Sequence, residues 1–189
     1  MNDGANIAEQ YASGDVAARI ELLIKYYPNF LRLVEGYEQS LSFIIKEEKA
    51  YIRKSRRGDI GVRVQTSGIG DTTAQAAIEN IMIMEAIQKG SLEEIASELE
   101  EEVMVKYQTE VTTLQNMKED YQILQSSFFY LEPDAAENFK KYLSCGRHTD
   151  RLAEDLNTSQ EAVKMQMCRT KKIVTEQTSN ILIRKYQYR

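Results

Sequence analysis

The chain has no tryptophan, two prolines, two cysteines and one histidine among 189 residues. The cysteines, Cys145 and Cys168, are too few for a disulfide framework, and with His148 as the sole imidazole no zinc-ligand spacing arises. No apolar run approaches the ~20 residues of a membrane span, and no apolar signal stretch opens the N-terminus. These absences point to free thiols, a cytoplasmic protein and no membrane partner. No Ser/His/Asp triad, carboxylate pair or metal cluster has workable spacing. Gly68-Ile69-Gly70 is too short to be a nucleotide loop. The expectation is a protein that is not an enzyme and needs no cofactor.

What is abundant is helix-forming. Leu, Glu, Lys, Gln and Ala dominate alongside Ile, and 42% of the residues are hydrophobic, enough for a packed core. The expected fold class is all-α. The net charge of −5 is unevenly spread. Between Glu93 and Glu110, seven glutamates face Lys106 alone. From Ser159 onward, Lys164, Arg169, Lys171, Lys172, Arg184, Lys185 and Arg189 face only Glu161 and Glu176. A basic end on an acidic scaffold suits a nucleic-acid contact.

Residues Met1 to Gly14 are small and polar and read as a flexible N-terminus. A helix is expected from about Asp15, with apolar positions Val16, Ile20, Leu23, Tyr27, Phe30, Val34, Tyr37, Leu41 and Ile44. Their alternating four-three spacing is that of a coiled-coil seam, kinked or broken at Pro28. Arg53 to Gly70 is rich in glycine and reads as a loop with a short extended stretch. Its cluster Arg53, Lys54, Arg56 and Arg57 reads as a solvated loop edge.

Thr72 with Gln75 marks a helix start, Ala74, Ala77, Ile78, Ile81 and Met84 mark its inner face, and Gly90 marks its end. Ser91 with Glu94 starts a long helix whose seam runs Leu92, Ile95, Leu99, Val103, Tyr107, Leu114, Met117, Tyr121, Leu124, Phe128 and Leu131. Its rhythm slips between Val103 and Leu114, as at a stutter. Such seams pack within one chain or between two, which leaves a homodimer open. The expected division is a flexible 1–14, a coiled-coil-like helical body over 15–130 with a loop at 53–71, and a separate module over 131–189.

That module carries the functional signal. Pro133 suits a first helical turn, Cys145-Gly146 closes that helix, and Arg151 to Leu156 form a short second helix with Leu152 and Ala153 inward. Asn157 and Thr158 form a turn that needs a positive φ, which Asn tolerates best after Gly. Ser159 caps the next helix, with Thr158 and Glu161 as a competing box. Val163 and Met167 face inward, and Cys168 reads as a small packed thiol. Gln160, Glu161, Lys164 and Met165 are then left on the outer face, as on a helix that reads base edges in the major groove. Arg169, Lys171 and Lys172 follow, placed for phosphates.

The segment YLSCGRHTDRLAEDLNTSQEAVKMQMCRTKKIV, Tyr142 to Val174, resembles the fourth region of bacterial sigma factors. It departs at Asn157-Thr158, where that pattern has Gly and a hydrophobic residue. The layout of upstream helices and a C-terminal helix-turn-helix is similar to phage-encoded transcriptional regulators of the RinA and ArpU type. GVRVQTSGIGDTTAQAAIEN, Gly61 to Asn80, looks like the middle of such proteins. The resemblance implies a regulator that binds double-stranded DNA and contacts RNA polymerase. Two alternatives share these features: a small terminase-like packaging subunit, and an alternative sigma factor.

Overall fold

The computed structural model describes residues 3–57 and 72–187. Among them every regular element is helical. In chain order these are α1 (Asp3–Ser13), α2 (Val16–Lys25), α3 (Phe30–Arg57), α4 (Thr72–Lys89), a 3₁₀ segment at Glu93–Glu98, α5 (Glu101–Ser126), a 3₁₀ turn at Ser127–Tyr130, α6 (Pro133–Ser144), α7 (Thr149–Asp155) and α8 (Gln160–Gln187). The all-α expectation holds.

The chain forms two compact units. One comprises Met1–Ala5 and Val34–Asn116; the other comprises Asn6–Leu33 and Met117–Arg189. The division falls inside α3 and inside α5, not at the expected boundary near Leu131. Residues 131–189 share their unit with α2 and with the end of α5.

In the first unit, α3 buries Val34, Leu41, Ile45 and Ile52, while Ile44, expected on the seam, is exposed. Glu38 and Lys49 lie on the same buried face. Lys49 Nζ sits 3.0 Å from Glu79 on α4 and 3.2 Å from Glu98 on the 3₁₀ segment, and Arg53 reaches the same two carboxylates. A buried ammonium is tolerable only with such partners. This box sets the rotation of α4: Glu79 points inward, Ile83, Ala86 and Ile87 are buried, and the expected inner residues Ile78 and Ile81 face solvent. The glycine-rich reading is corrected at its start, because Arg53 to Arg57 belong to α3. The remaining loop positions, 58–71, lie outside the described residues.

Gly90 ends α4 at φ +84°, with Ser91 N–H donating to Ala86 O at 3.1 Å, the bond expected of a left-handed helix end. The carbonyls orphaned there are capped from α5. Gln108 Nε2 donates to Gly90 O, and Gln115 Nε2 donates to Ile87 O and Gln88 O, each at 2.9 Å. A Cβ at Gly90 would stand 3.0 Å from Gln115 Cγ. The single long helix expected from Ser91 is instead interrupted. Leu99 is extended at ψ 158° and α5 begins only at Glu101. Three residues per turn aligns Leu92 and Ile95 toward the core and puts Glu98 beside Lys49. In α5 the slipped seam is completed by Val111, fully buried between Tyr107 and Leu114.

In the second unit the N-terminal segment is not frayed: α1 buries Ile7, Ala8 and Tyr11. Asp15 caps α2, its carboxylate accepting from Ala18 N–H at 2.8 Å. Pro28 accompanies a break, with α2 ending at Lys25 and α3 starting at Phe30. Tyr121 Oη donates to Tyr27 O in that break, and its ring stacks on Phe30 at 5.5 Å. Phe128 meets Phe139 edge-on at 5.7 Å, which ties α6 to the preceding turn. Deeper still, the fully buried Asp120 of α5 accepts from Tyr11 of α1, from Tyr186 Oη at 2.9 Å and from Lys185 Nζ at 2.6 Å. α1 and the last turn of α8 are thereby fastened to α5.

Candidate nucleic-acid interface

The surface that could meet nucleic acid is built from α6, α7 and the first half of α8. α6 opens on Pro133, whose missing N–H would be unbonded there in any case. It closes on Gly146 at φ +70° and Arg147 at φ +65°, with Arg147 N–H bonded to Tyr142 O at 2.8 Å. α7 buries Leu152 and Ala153, as its sequence leads one to expect. Ala153 is buried in a helix that packs on both α6 and α8, so a larger side chain there would have no room.

The turn between α7 and α8 is held by backbone hydrogen bonds. Asn157 takes φ +48°, its N–H donates to Glu154 O at 3.1 Å, and Thr158 N–H donates to Ala153 O at 3.0 Å. Two orphan carbonyls of α7 are satisfied in this way. Ser159 then caps α8, its Oγ accepting from Ala162 N–H at 3.2 Å. The Ser159 cap is the one formed, as opposed to the competing Thr158 box.

α8 buries Val163, Met167, Thr170, Val174, Thr178 and Leu182. Its 28 residues extend well beyond Val174 and make it ~42 Å long. Thr178 Oγ1 donates to Ser127 Oγ at 2.9 Å within the core. Rotating outward from the buried stripe leaves Ser159, Gln160, Glu161, Lys164, Met165, Arg169 and Lys172 exposed. Seven of the eight expected contact residues therefore lie open on the N-terminal half of one helix.

Four of the eight have further engagements. Gln160 Nε2 donates to Thr149 Oγ1 at 3.2 Å, bracing the start of α8 against the start of α7. Arg169 Nη2 lies 3.4 Å from Met165 Sδ. Lys171, expected at phosphate, lies 2.8 Å from Glu21 of α2, so part of its charge is answered within the unit. Lys185, counted with the basic segment, is likewise taken up by Asp120 and Glu119. The positive charge left outward on this half of α8 is that of Lys164, Arg169 and Lys172, with Glu161 opposing it. Cys168 is exposed among them, contrary to the packed thiol expected, because its position falls opposite Val163 and Thr170.

Beside this face runs a groove of about 450 Å³ between the start of α6 and α8, lined by Tyr130, Leu131, Ala135, Met165 and Ile173 among others. Sequence reasoning missed it. Leu131 was assigned to a seam, and Phe129 and Tyr130 carry no periodic signal of their own. Among the described residues no group of His, Cys, Asp and Glu could hold a metal ion.

No family model, no curated protein and no solved structure matches the chain.

Proposed function

We propose that the protein is a sequence-specific DNA-binding transcription regulator, in which α7, the Asn157 turn and α8 act as a helix-turn-helix. In this reading the Ser159-capped end of α8 enters the major groove. One observation carries it. Val163 and Met167 are buried while Gln160, Glu161, Lys164 and Met165 stay exposed on the first turns of a helix held at its start by a bonded turn. These side chains offer an amide for adenine, a carboxylate for cytosine, an ammonium for guanine and a thioether for a thymine methyl. Arg169 and Lys172 supply phosphate contacts further along. The sigma-like pattern over Tyr142 to Val174 supports the same reading and a contact with RNA polymerase, and the layout of upstream helices before that module supports a phage-type regulator.

The test is selection of bound duplexes from a random pool, followed by titration of variants. Lys164→Ala should weaken the selected site by about 1–3 kcal/mol more than random DNA. Lys172→Ala should weaken all duplexes alike and lower the salt slope by about 0.9 per lost phosphate contact. Gln160→Ala would remove its brace to Thr149 as well as any base contact. Thr149→Val separates the two, since it cuts the brace and leaves the amide. A chain that selects no sequence overturns the proposal.

A further inference from the structure

The second unit exposes more apolar surface than a solvated helical face needs. Phe129 is 90% exposed and Tyr130 62%, and Ile173 is 42% exposed nearby on α8. These residues belong to one continuous surface, because Leu131 lines both the groove of about 450 Å³ along α8 and a second groove of about 480 Å³ along α6. The second groove is lined by Phe128, Pro133 and Ala136, with Phe129 as one wall, and carries both signs in Glu137 and Lys140.

We propose that this surface pairs with its own copy, so that Phe129 of one chain enters the α6 groove of the other about a two-fold axis. A protruding aromatic ring beside an apolar hollow on the same face is self-complementary, as a two-fold interface requires. The protruding ring carries no charge to desolvate, and a rim with both signs can oppose its own copy without like charges meeting. The size also fits. An interface of standard size buries ~800 Å² per partner, a little over half of it non-polar. Phe129, Tyr130 and Ile173 together expose roughly 400 Å², close to the non-polar share of one such side. Met165 is left to the DNA face and is not needed. The inference rests on the DNA reading only for its consequence, a paired site in which two α8 helices address half-sites about one helical turn apart.

Sedimentation equilibrium of the full chain without DNA tests the pairing independently of DNA recognition. The wild type should dimerise at micromolar concentration, and Phe129→Ser should raise the dissociation constant at least about tenfold, a loss of roughly 1.4 kcal/mol. Phe129 is so exposed that its replacement should leave the helical signal unchanged in circular dichroism. Ile78→Ser, on the exposed face of α4, is the comparison and should leave the constant unaltered. A monomeric wild type, an unchanged constant in Phe129→Ser, or a loss confined to Ile78→Ser each overturns the inference. None of these outcomes bears on whether α8 reads DNA.

Discussion

The two units solve the same problem with opposite signs. In the first, a buried lysine is held by carboxylates: Lys49, 2% exposed, lies between Glu79 and Glu98, which Arg53 also reaches. In the second, the innermost charge is a carboxylate: Asp120, fully buried, held by two phenols and Lys185. The first cluster opens toward solvent through Glu98, while the second is closed over and also covered by Arg19, whose guanidinium lies over the rings of Tyr11 and Tyr186. The difference teaches where each unit should fail. An enclosed charge loses most when one partner goes, and the sign of the partners decides on which side of neutrality the cluster gives way.

The largest effect is expected at Asp120. Asp120→Ala takes from the phenols of Tyr11 and Tyr186 the acceptor they share and leaves Lys185 to Glu119 alone, at a cost of about 3–5 kcal/mol. Urea unfolding should show it, and amide exchange should locate the loss in α1 and the end of α8. Lys49→Met keeps the volume and leaves Arg53 to answer both glutamates, of which Glu98 is substantially exposed. The expected loss is about 2 kcal/mol, confined to α3 and α4. If the two substitutions cost the same, enclosure is not what separates the clusters.

Titration sharpens the comparison. Burial pushes the carboxyls of Glu79 and Glu98 up, but the hydrogen bonds and charges of Arg53 and Lys49 outweigh it and hold both below their ordinary value. The unfolded chain then takes up protons first. This contribution is present above roughly pH 4.3 and is lost as pH falls through the lower folded values. In the second unit, burial and the adjacent Asp120 hold the Tyr11 phenol well above its ordinary range. Burial lowers Lys185, yet the bonds to Asp120 and Glu119 outweigh it and raise it. Both groups contribute stability that is present below about pH 10 and lost above it. Urea midpoints followed across pH should therefore fall on the acid side less steeply in Glu79→Gln, and on the alkaline side less steeply in Tyr11→Phe. Identical profiles for both variants would show that the clusters do not set these limbs.

The smallest effect concerns the turn that positions α8. Asn157→Ala removes the short polar side chain that makes φ +48° tolerable and should cost about 1 kcal/mol, whereas Asn157→Gly should stay within a few tenths. Thermal unfolding separates them. Equal costs would mean that the side chain of Asn157, and not its backbone conformation, holds the turn.

Much of the local structure was legible in the sequence because it depends on neighbours in the chain. Scarce proline and abundant helix formers determined an all-helical protein. The helix start near Asp15, the left-handed ends at Gly90 and Asn157, the Ser159 cap and the inward Leu152, Ala153, Val163 and Met167 each follow from a few adjacent residues. The outward set on α8 was legible for the same reason, since burying Val163 and Met167 dictates which positions of a helix remain outside.

Only the tertiary structure decided the rest. α4 carries apolar residues on two faces, so periodicity alone could not choose between Ile78 with Ile81 and Ile83 with Ile87. The choice came from Glu79 turning to Lys49, 30 residues away in the chain. α1 looked too small and polar to order, and it orders because Asp120 accepts its Tyr11. Lys171 and Lys185 counted as basic surface until Glu21 and Asp120 arrived beside them. In each case the deciding partner is a charge or a hydrogen bond distant in sequence. Such pairings leave no local pattern, because their energy exists only once folding has removed the intervening water.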